Sequence, residues 1–216
     1  AGRIRYRLRI GSFPLITGIY PLGGQSGSVM SFEVYGEGTS SLSKLHVVLP
    51  DTRNGPRLAY FSVPSAGNGG SGWFQVETGP ENECLEQEPN DSLSNATPVP
   101  FPSIFNGRFD RVGDRDFFKF NARKGQHVHC VAKSRELGSS CDVDMSLHDI
   151  VGSKLAQARQ ERQTVLDADI LADGQYALQV VDLLVGDKAR PNHAYRINAS
   201  HTYPGFTIHA AEPQYT

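Results

Sequence analysis

The chain has 216 residues, 21 Lys plus Arg, 23 Asp plus Glu, and a formal net charge of −2. That balance gives no overall basic field for nucleic acid, and no apolar run approaches the ~20 residues of a membrane span. With 38% hydrophobic and 20% charged residues, the composition is that of a folded protein, long enough for one large domain or two small ones.

Residues 3 to 10 alternate strictly, with Arg3, Arg5, Arg7 and Arg9 on one face and Ile4, Tyr6, Leu8 and Ile10 on the other. This is the period of a half-buried strand. Its arginine stripe reads as a solvated sheet face rather than an anion site. A similar run, Tyr195-Arg196-Ile197-Asn198-Ala199, recurs near the other end. Residues 1–13 are therefore expected to be the last strand of an upstream domain in an excised piece of a longer protein. Their apolar face is expected to pack on the second domain's sheet or to pair with another molecule.

Strands are then expected at Leu15 to Tyr20, Val29 to Gly36, Leu45 to Leu49, Arg57 to Val63 and Trp73 to Glu77, with a turn at Gly23-Gly24-Gln25-Ser26-Gly27. Short strands at this spacing suggest a small sandwich over residues 14–81. A linker is expected at 78 to 83, and residues 82–216 form a second domain. Its strands are expected at Ser103 to Phe109, Asp116 to Asn121, Gln126 to Ala132, Asp144 to His148, Gln175 to Val181 and Ala194 to Ala199. The stretch from 153 to 169 is mixed, after a hairpin turn at Gly152. The expected fold is all-β.

The richest chemistry lies in Glu86-Gln87-Glu88-Pro89-Asn90-Asp91. Calcium is a hard cation that prefers six to eight oxygen ligands. On an extended segment Glu86, Glu88 and Asn90 point the same way, and Pro89 stiffens it. Asp114 and Asp116 share a face in the same manner and would close the site. The plainer alternative is a Pro-Asn-Asp turn with solvated carboxylates. Asp142 with Asp144, and Asp167 with Asp169, read as strand-end turns. His127-Val128-His129 has a spacing that chelates transition metals, but shows no third ligand and reads as an exposed strand face. Gly67-Asn68-Gly69-Gly70-Ser71-Gly72 is followed by a strand, not a helix, so it is a hairpin loop and not a dinucleotide fingerprint. Cys84, Cys130 and Cys141 form no zinc pattern. Cys130 and Cys141 either pair across neighbouring strands or remain thiols. Nucleophile-elbow, metalloprotease and P-loop signatures are missing.

Residues 84 to 200 resemble the bacterial pre-peptidase C-terminal domain. The opening Glu86 to Asp91 segment, Gly107, Gly113-Asp114-Arg115-Asp116-Phe117-Phe118-Lys119-Phe120, Lys124-Gly125-Gln126, Asp142 to Asp149, and Asp173-Gly174-Gln175-Tyr176 follow that family's order. The stretch Arg135 to Ser140 is similar to the variant found in large exported proteins of planctomycete-type bacteria. More weakly, Pro14 to Pro21, Gly24, Gly27 and Val34-Tyr35-Gly36 resemble the opening of the immunoglobulin-like TIG domain. The resemblance implies an immunoglobulin-like sandwich followed by a jelly-roll-like β-sandwich, and a non-catalytic accessory module of an extracellular, cell-surface or periplasmic protein. It implies calcium held by Glu86, Glu88, Asn90, Asp91, Asp114 and Asp116. Its partners would be the parent protein's other domains, and extracellular protein or polysaccharide. Two rival roles are substrate targeting for a secreted hydrolase, and secretion or maturation of a protease. An exposed row of aromatics on one sheet face would favour targeting. Tyr176 and Tyr195 are available, although their alternation makes them core.

Overall fold

Along many of the described β-strands, every second side chain enters a core. The computed structural model describes residues 14–39, 44–52, 57–63, 73–160, 163–184 and 192–202. The opening strand pattern at 1–13 and the glycine loop at 67–72 lie outside the described residues.

The first part contains β1 (Leu15–Tyr20), β2 (Gly23–Gln25), β3 (Val29–Glu37), β4 (Lys44–Val48), β5 (Arg57–Ser62) and β6 (Trp73–Gly79). They form two three-stranded sheets, ordered β1-β3-β4 and β2-β6-β5. Ile19, Phe32, Val34, Phe74 and Val76 fill the space between them. The glycine-rich turn begins later than expected. Gly23–Gln25 runs parallel to Glu77–Gly79 as an edge strand, and the chain reverses only at Ser26 and Gly27. Gly23 has to be glycine, because a Cβ there would strike the Glu77 carbonyl and the Arg196 guanidinium.

The second part contains β7 (Glu83–Leu85), β8 (Thr97–Pro98), β9 (Ser103–Arg108), β10 (Arg115–Ala122), β11 (His127–Lys133), β12 (Val143–Asp149), β13 (Lys154–Gln157), β14 (Arg159–Gln160), β15 (Thr164–Asp169), β16 (Gly174–Asp182) and β17 (Ala194–Thr202). Five strands in the order β13-β12-β16-β10-β8 face six in the order β14-β15-β11-β17-β9-β7. From β7 to β12 successive strands alternate between the two sheets, in jelly-roll fashion. Phe105, Phe118, Val128, Met145, Leu147, Leu166, Leu178 and Ile197 pack between the sheets with almost no exposure. Burying side chains of this size contributes about 1.5–3 kcal/mol each. The fold is thus all-β, and among the described residues helix is limited to two short 3-10 turns, Leu93–Asn95 and Arg135–Leu137.

Several details depart from the expectations. The expected 78-to-83 linker contributes the end of β6 and the start of β7, leaving residues 80 to 82 between them. The mixed stretch is strand throughout most of its length: β13 closes the hairpin at Gly152, and β14 and β15 extend the other sheet. Cys130 and Cys141 are buried thiols, not a disulfide, and Cys84 is also free. The Cys141 thiol donates to the Ala194 carbonyl at 3.1 Å.

The two sandwiches share a joint. Leu137 and Ala194 of the second complete the apolar cluster of the first. Beside them lies Arg196, 2% exposed. Its guanidinium holds both oxygens of Glu83 at 2.6 Å, Glu77 Oε2 at 3.1 Å and Asn106 Oδ1 at 3.2 Å. Lys133 Nζ reaches the other Glu77 oxygen at 2.5 Å. The Tyr20 hydroxyl donates to the Asn106 carbonyl at 3.4 Å.

Candidate metal centre

Strand pairing delivers the acidic segment to its place. β7 runs parallel to β9, Leu85 opposite Asn106, and the next residue continues the ladder: Glu86 N–H donates to the Asn106 carbonyl at 2.9 Å. The Arg108 N–H then donates to Glu86 Oε1 at 3.0 Å. Between these contacts lies Gly107, where a Cβ would collide with the Tyr195 phenol and with Glu86 Oε2. Further on, the Phe117 N–H donates to the Asn90 carbonyl at 3.0 Å, which ties the segment to the start of β10 and sets Asn90 beside Asp116. The Tyr195 hydroxyl donates to Asp116 Oδ2 at 2.6 Å.

The result is a cluster of oxygens. One oxygen each from Glu86, Glu88 and Asp116 lie within 4.8 Å of one another, and so do oxygens of Glu88, Asp110 and Asp114. Glu88 belongs to both groups and joins them. Asp114 shapes the turn before β10, accepting from the N–H groups of Asp110 at 2.8 Å and Arg115 at 3.1 Å. Asn90 is fully buried. With its amide nitrogen toward the cluster it donates to Glu88 Oε1 at 3.2 Å and Asp116 Oδ1 at 3.1 Å. With its oxygen there, the nitrogen instead reaches Thr97 Oγ1 at 3.5 Å.

Of the six residues singled out in the sequence, the fold gathers Glu86, Glu88, Asn90, Asp114 and Asp116. It places Asp91 differently: Asp91 pairs with Arg111, whose guanidinium also lies 3.3 Å from Asp114, 3.5 Å from Asp110 and 3.9 Å from Glu88. Asp110 and Arg111 were missed by the sequence reading. The available signal was the Asp110 to Asp114 spacing across a turn containing Gly113, which adopts a positive φ of 75°.

So much carboxylate in one partly buried place is electrostatically costly. Burial, reinforced by the charge of Asp116, pushes Glu86 up to about 10, against the opposing Arg108 N–H bond. Burial also raises Asp116 to about 8, with the Tyr195 bond opposing and Asp114 and Glu88 adding to the rise. Glu88 and Asp114 are shifted upward too, burial again being the first cause. Glu86 Oε2 is buried with no hydrogen-bond partner. An all-oxygen donor set with an orphaned carboxylate oxygen fits a hard divalent cation of the calcium type. Glu86, Glu88 and Asp116 would hold it, with Asp110, Asp114 and the Asn90 amide oxygen at hand. Its charge would replace the protons that burial otherwise favours.

The remaining sequence candidates are satisfied by ordinary pairing. His127 and His129 face the two aspartates of β15 across a regular ladder. His127 bonds Asp169 at 2.7 Å and Asp167 at 3.3 Å, His129 bonds Asp167 at 2.7 Å, and Arg159 caps Asp167 at 2.7 Å. The two motifs thus answer each other. Asp142 pairs with Arg135 at 3.4 Å, and Asp144 accepts from Gln157 at 2.5 Å. Tyr176 and Tyr195 are core residues, 7% and 0% exposed.

No protein-family model and no curated protein sequence matches the chain. Among solved structures, the pre-peptidase C-terminal domain of a collagenase from Bacillus anthracis aligns with 53% of this chain and 99% of its own, at a TM-score of 0.40 and 14% identity. PliG of Aeromonas hydrophila, a periplasmic inhibitor of g-type lysozyme, aligns with 56% of this chain and 100% of its own, at 0.40 and 12%. PliG of Salmonella Typhimurium aligns with 50% and 99%, at 0.34 and 21%.

Proposed function

We propose that this chain is a calcium-stabilised, non-catalytic module of an exported multidomain protein, which spaces or presents its neighbours and contacts extracellular protein or polysaccharide. Residues 84 to 200 would be of the pre-peptidase C-terminal type and residues 14 to 81 of the immunoglobulin-like type, as their ordered motifs suggest. The observation that carries the reading is the link between the acidic cluster and the joint. Arg108 uses its backbone N–H to hold Glu86. Its side chain crosses to the first sandwich, pairing with Glu33 at 2.5 Å and with the Tyr35 hydroxyl, and lying 4.8 Å from the Tyr20 ring centre. A cation that fixes Glu86 also fixes the backbone from which this side chain spans the two sandwiches.

The test is thermal unfolding in chelator and in millimolar calcium, with calorimetric titration. Calcium at 100 times its Kd should add about 2.7 kcal/mol, and Glu86→Gln should abolish the gain. Absence of both binding heat and any rise in melting temperature in the unsubstituted protein would sink the calcium reading.

A further inference from the structure

Away from the acidic cluster, the joint between the sandwiches leaves a groove of about 260 Å³. One wall is the β5–β6 pair, and Ile16, Ile19, Leu22 and Phe74 line the groove's apolar base. Tyr60 stands opposite Gln75, and Trp73 opposite Ser62. Tyr60, Gln75 and Trp73 therefore share one face of the sheet, with Phe61 and Phe74 on the other. Trp73 is 74% exposed and Tyr60 57%. The opposite wall comes from the second sandwich: Leu137, Gly138 and Ser139 of the turn after β11, with Asn192. The Gln75 amide donates to the Glu136 carbonyl and so holds the two walls together. These are the exposed aromatics that the sequence reading sought on Tyr176 and Tyr195; they lie on the first sandwich.

Two properties of the lining narrow what it takes. Among the described residues, none that lines the groove carries a charge, in a chain where 20% of residues do. A phosphate, a nucleic acid or an acidic chain would meet no counter-charge there. The polar groups are amides and hydroxyls: Gln75, Asn192, Ser139, Thr17 and Tyr60. The donors of Gln75, Ser139 and Asn192 already bond the Glu136 carbonyl, the Asn192 carbonyl and Ser140 Oγ, which leaves the Gln75 and Asn192 amide oxygens to accept. A polyproline segment offers carbonyl acceptors but no proline N–H, so it would leave these amide oxygens unmet. A pyranose ring presents flat C–H faces, which stack on Trp and Tyr, and a rim of hydroxyls that donate and accept. The groove volume is just under the ~300–1,000 Å³ of drug-sized sites, room for one or two rings of a longer chain.

From this we infer that the groove is a binding site for a neutral glycan, with sugar rings stacked on Trp73 and Tyr60 and hydroxyls donating to the amide oxygens of Gln75 and Asn192. The inference rests on the polysaccharide-contacting part of the proposed function and does not depend on the metal.

Trp73 is the single tryptophan of the chain, so intrinsic fluorescence reports on the groove directly. The whole chain is titrated with short neutral oligosaccharides (β-1,4-linked gluco, manno and xylo series), with an oligogalacturonate and with a proline-rich peptide. A saturable emission change with at least one neutral series, and none with the other two probes, is expected. Tyr60→Ala should weaken that affinity on the order of tenfold, the size expected for loss of one aromatic stacking partner. Trp73→Ala should lose retardation in native gels cast with the corresponding polysaccharide. Both variants should melt with the unsubstituted protein, since the rings are exposed, and Glu86→Gln should bind the sugar unchanged. No response to any neutral series, a response to the peptide or the oligogalacturonate alone, or binding by both aromatic variants as strong as that of the unsubstituted protein would overturn the inference.

Discussion

Glu86 and Asp116 are the residues whose chemistry depends most on their surroundings. Their folded-state values lie near 10 and 8, against about 4.3 and 3.9 for the free side chains. A carboxyl raised on folding stabilises the native state fully below its unfolded value, and loses that contribution as pH rises through its folded value. In chelator, stability should therefore fall as pH climbs from about 4 through about 8 and on toward 10. Calcium takes the place of the protons, so the fall should flatten in its presence. The affinity itself should strengthen between pH 6 and pH 8, and the binding heat should change with the ionisation enthalpy of the buffer, because protons are released. Arg196 is the other residue to change. Arg196→Met leaves Glu77 and Glu83 facing each other at the joint without their shared cation, and breaking a buried pair in this way costs about 3–5 kcal/mol. The urea midpoint measures the loss. Part of this was legible in advance. A dense run of oxygen side chains at 86 to 91 is a local signal. The approach of Asp110 is tertiary, set by the 109-to-114 turn, and the diversion of Asp91 depends on an arginine twenty residues away.

At the scale of single strands, period-two alternation located most of both sandwiches. It is clearest in β11, where Val128, Cys130 and Ala132 are buried and the residues between them are half-exposed. The elements it missed have little side-chain pattern to show. β2 is Gly-Gly-Gln, and β7 and β14 span three and two residues. Such strands exist because a partner offers an edge, and the register of that partner is not local information. β9 illustrates how one position couples an element to the site. Gly107 lets the Tyr195 phenol and the Glu86 carboxylate approach the backbone. Gly107→Ala should destabilise the second sandwich by about 1–3 kcal/mol through overpacking. It should weaken calcium binding as well, because the displaced groups are the ones that hold Asp116 and donate oxygen. Melting temperature and calcium titration on the same variant separate the two effects.

On the scale of the whole molecule, the core of the first sandwich is finished by Leu137 and Ala194 from the second. With the Arg196 network and the Arg108 bridge added, the sandwiches should unfold together. Calorimetry of the unsubstituted protein should show one transition. Arg196→Met should split it, the first sandwich melting at the lower temperature because, among the described residues, its core cluster is the smaller.

The crossing between the sandwiches is only residues 80 to 82 long. The glutamates on either side of it, Glu77 and Glu83, grip the same guanidinium. A tether stapled on both flanks behaves as a weld and not as a hinge. When tension pulls on a longer chain containing this pair, the crossing cannot straighten until both carboxylates let go of Arg196, so the load falls on the joint as shear. Single-molecule pulling should show no compliant phase before the first sandwich ruptures, and Arg196→Met should introduce one. Mechanically, the two sandwiches count as one stiff segment, which transmits load from one end to the other without a flexible joint between.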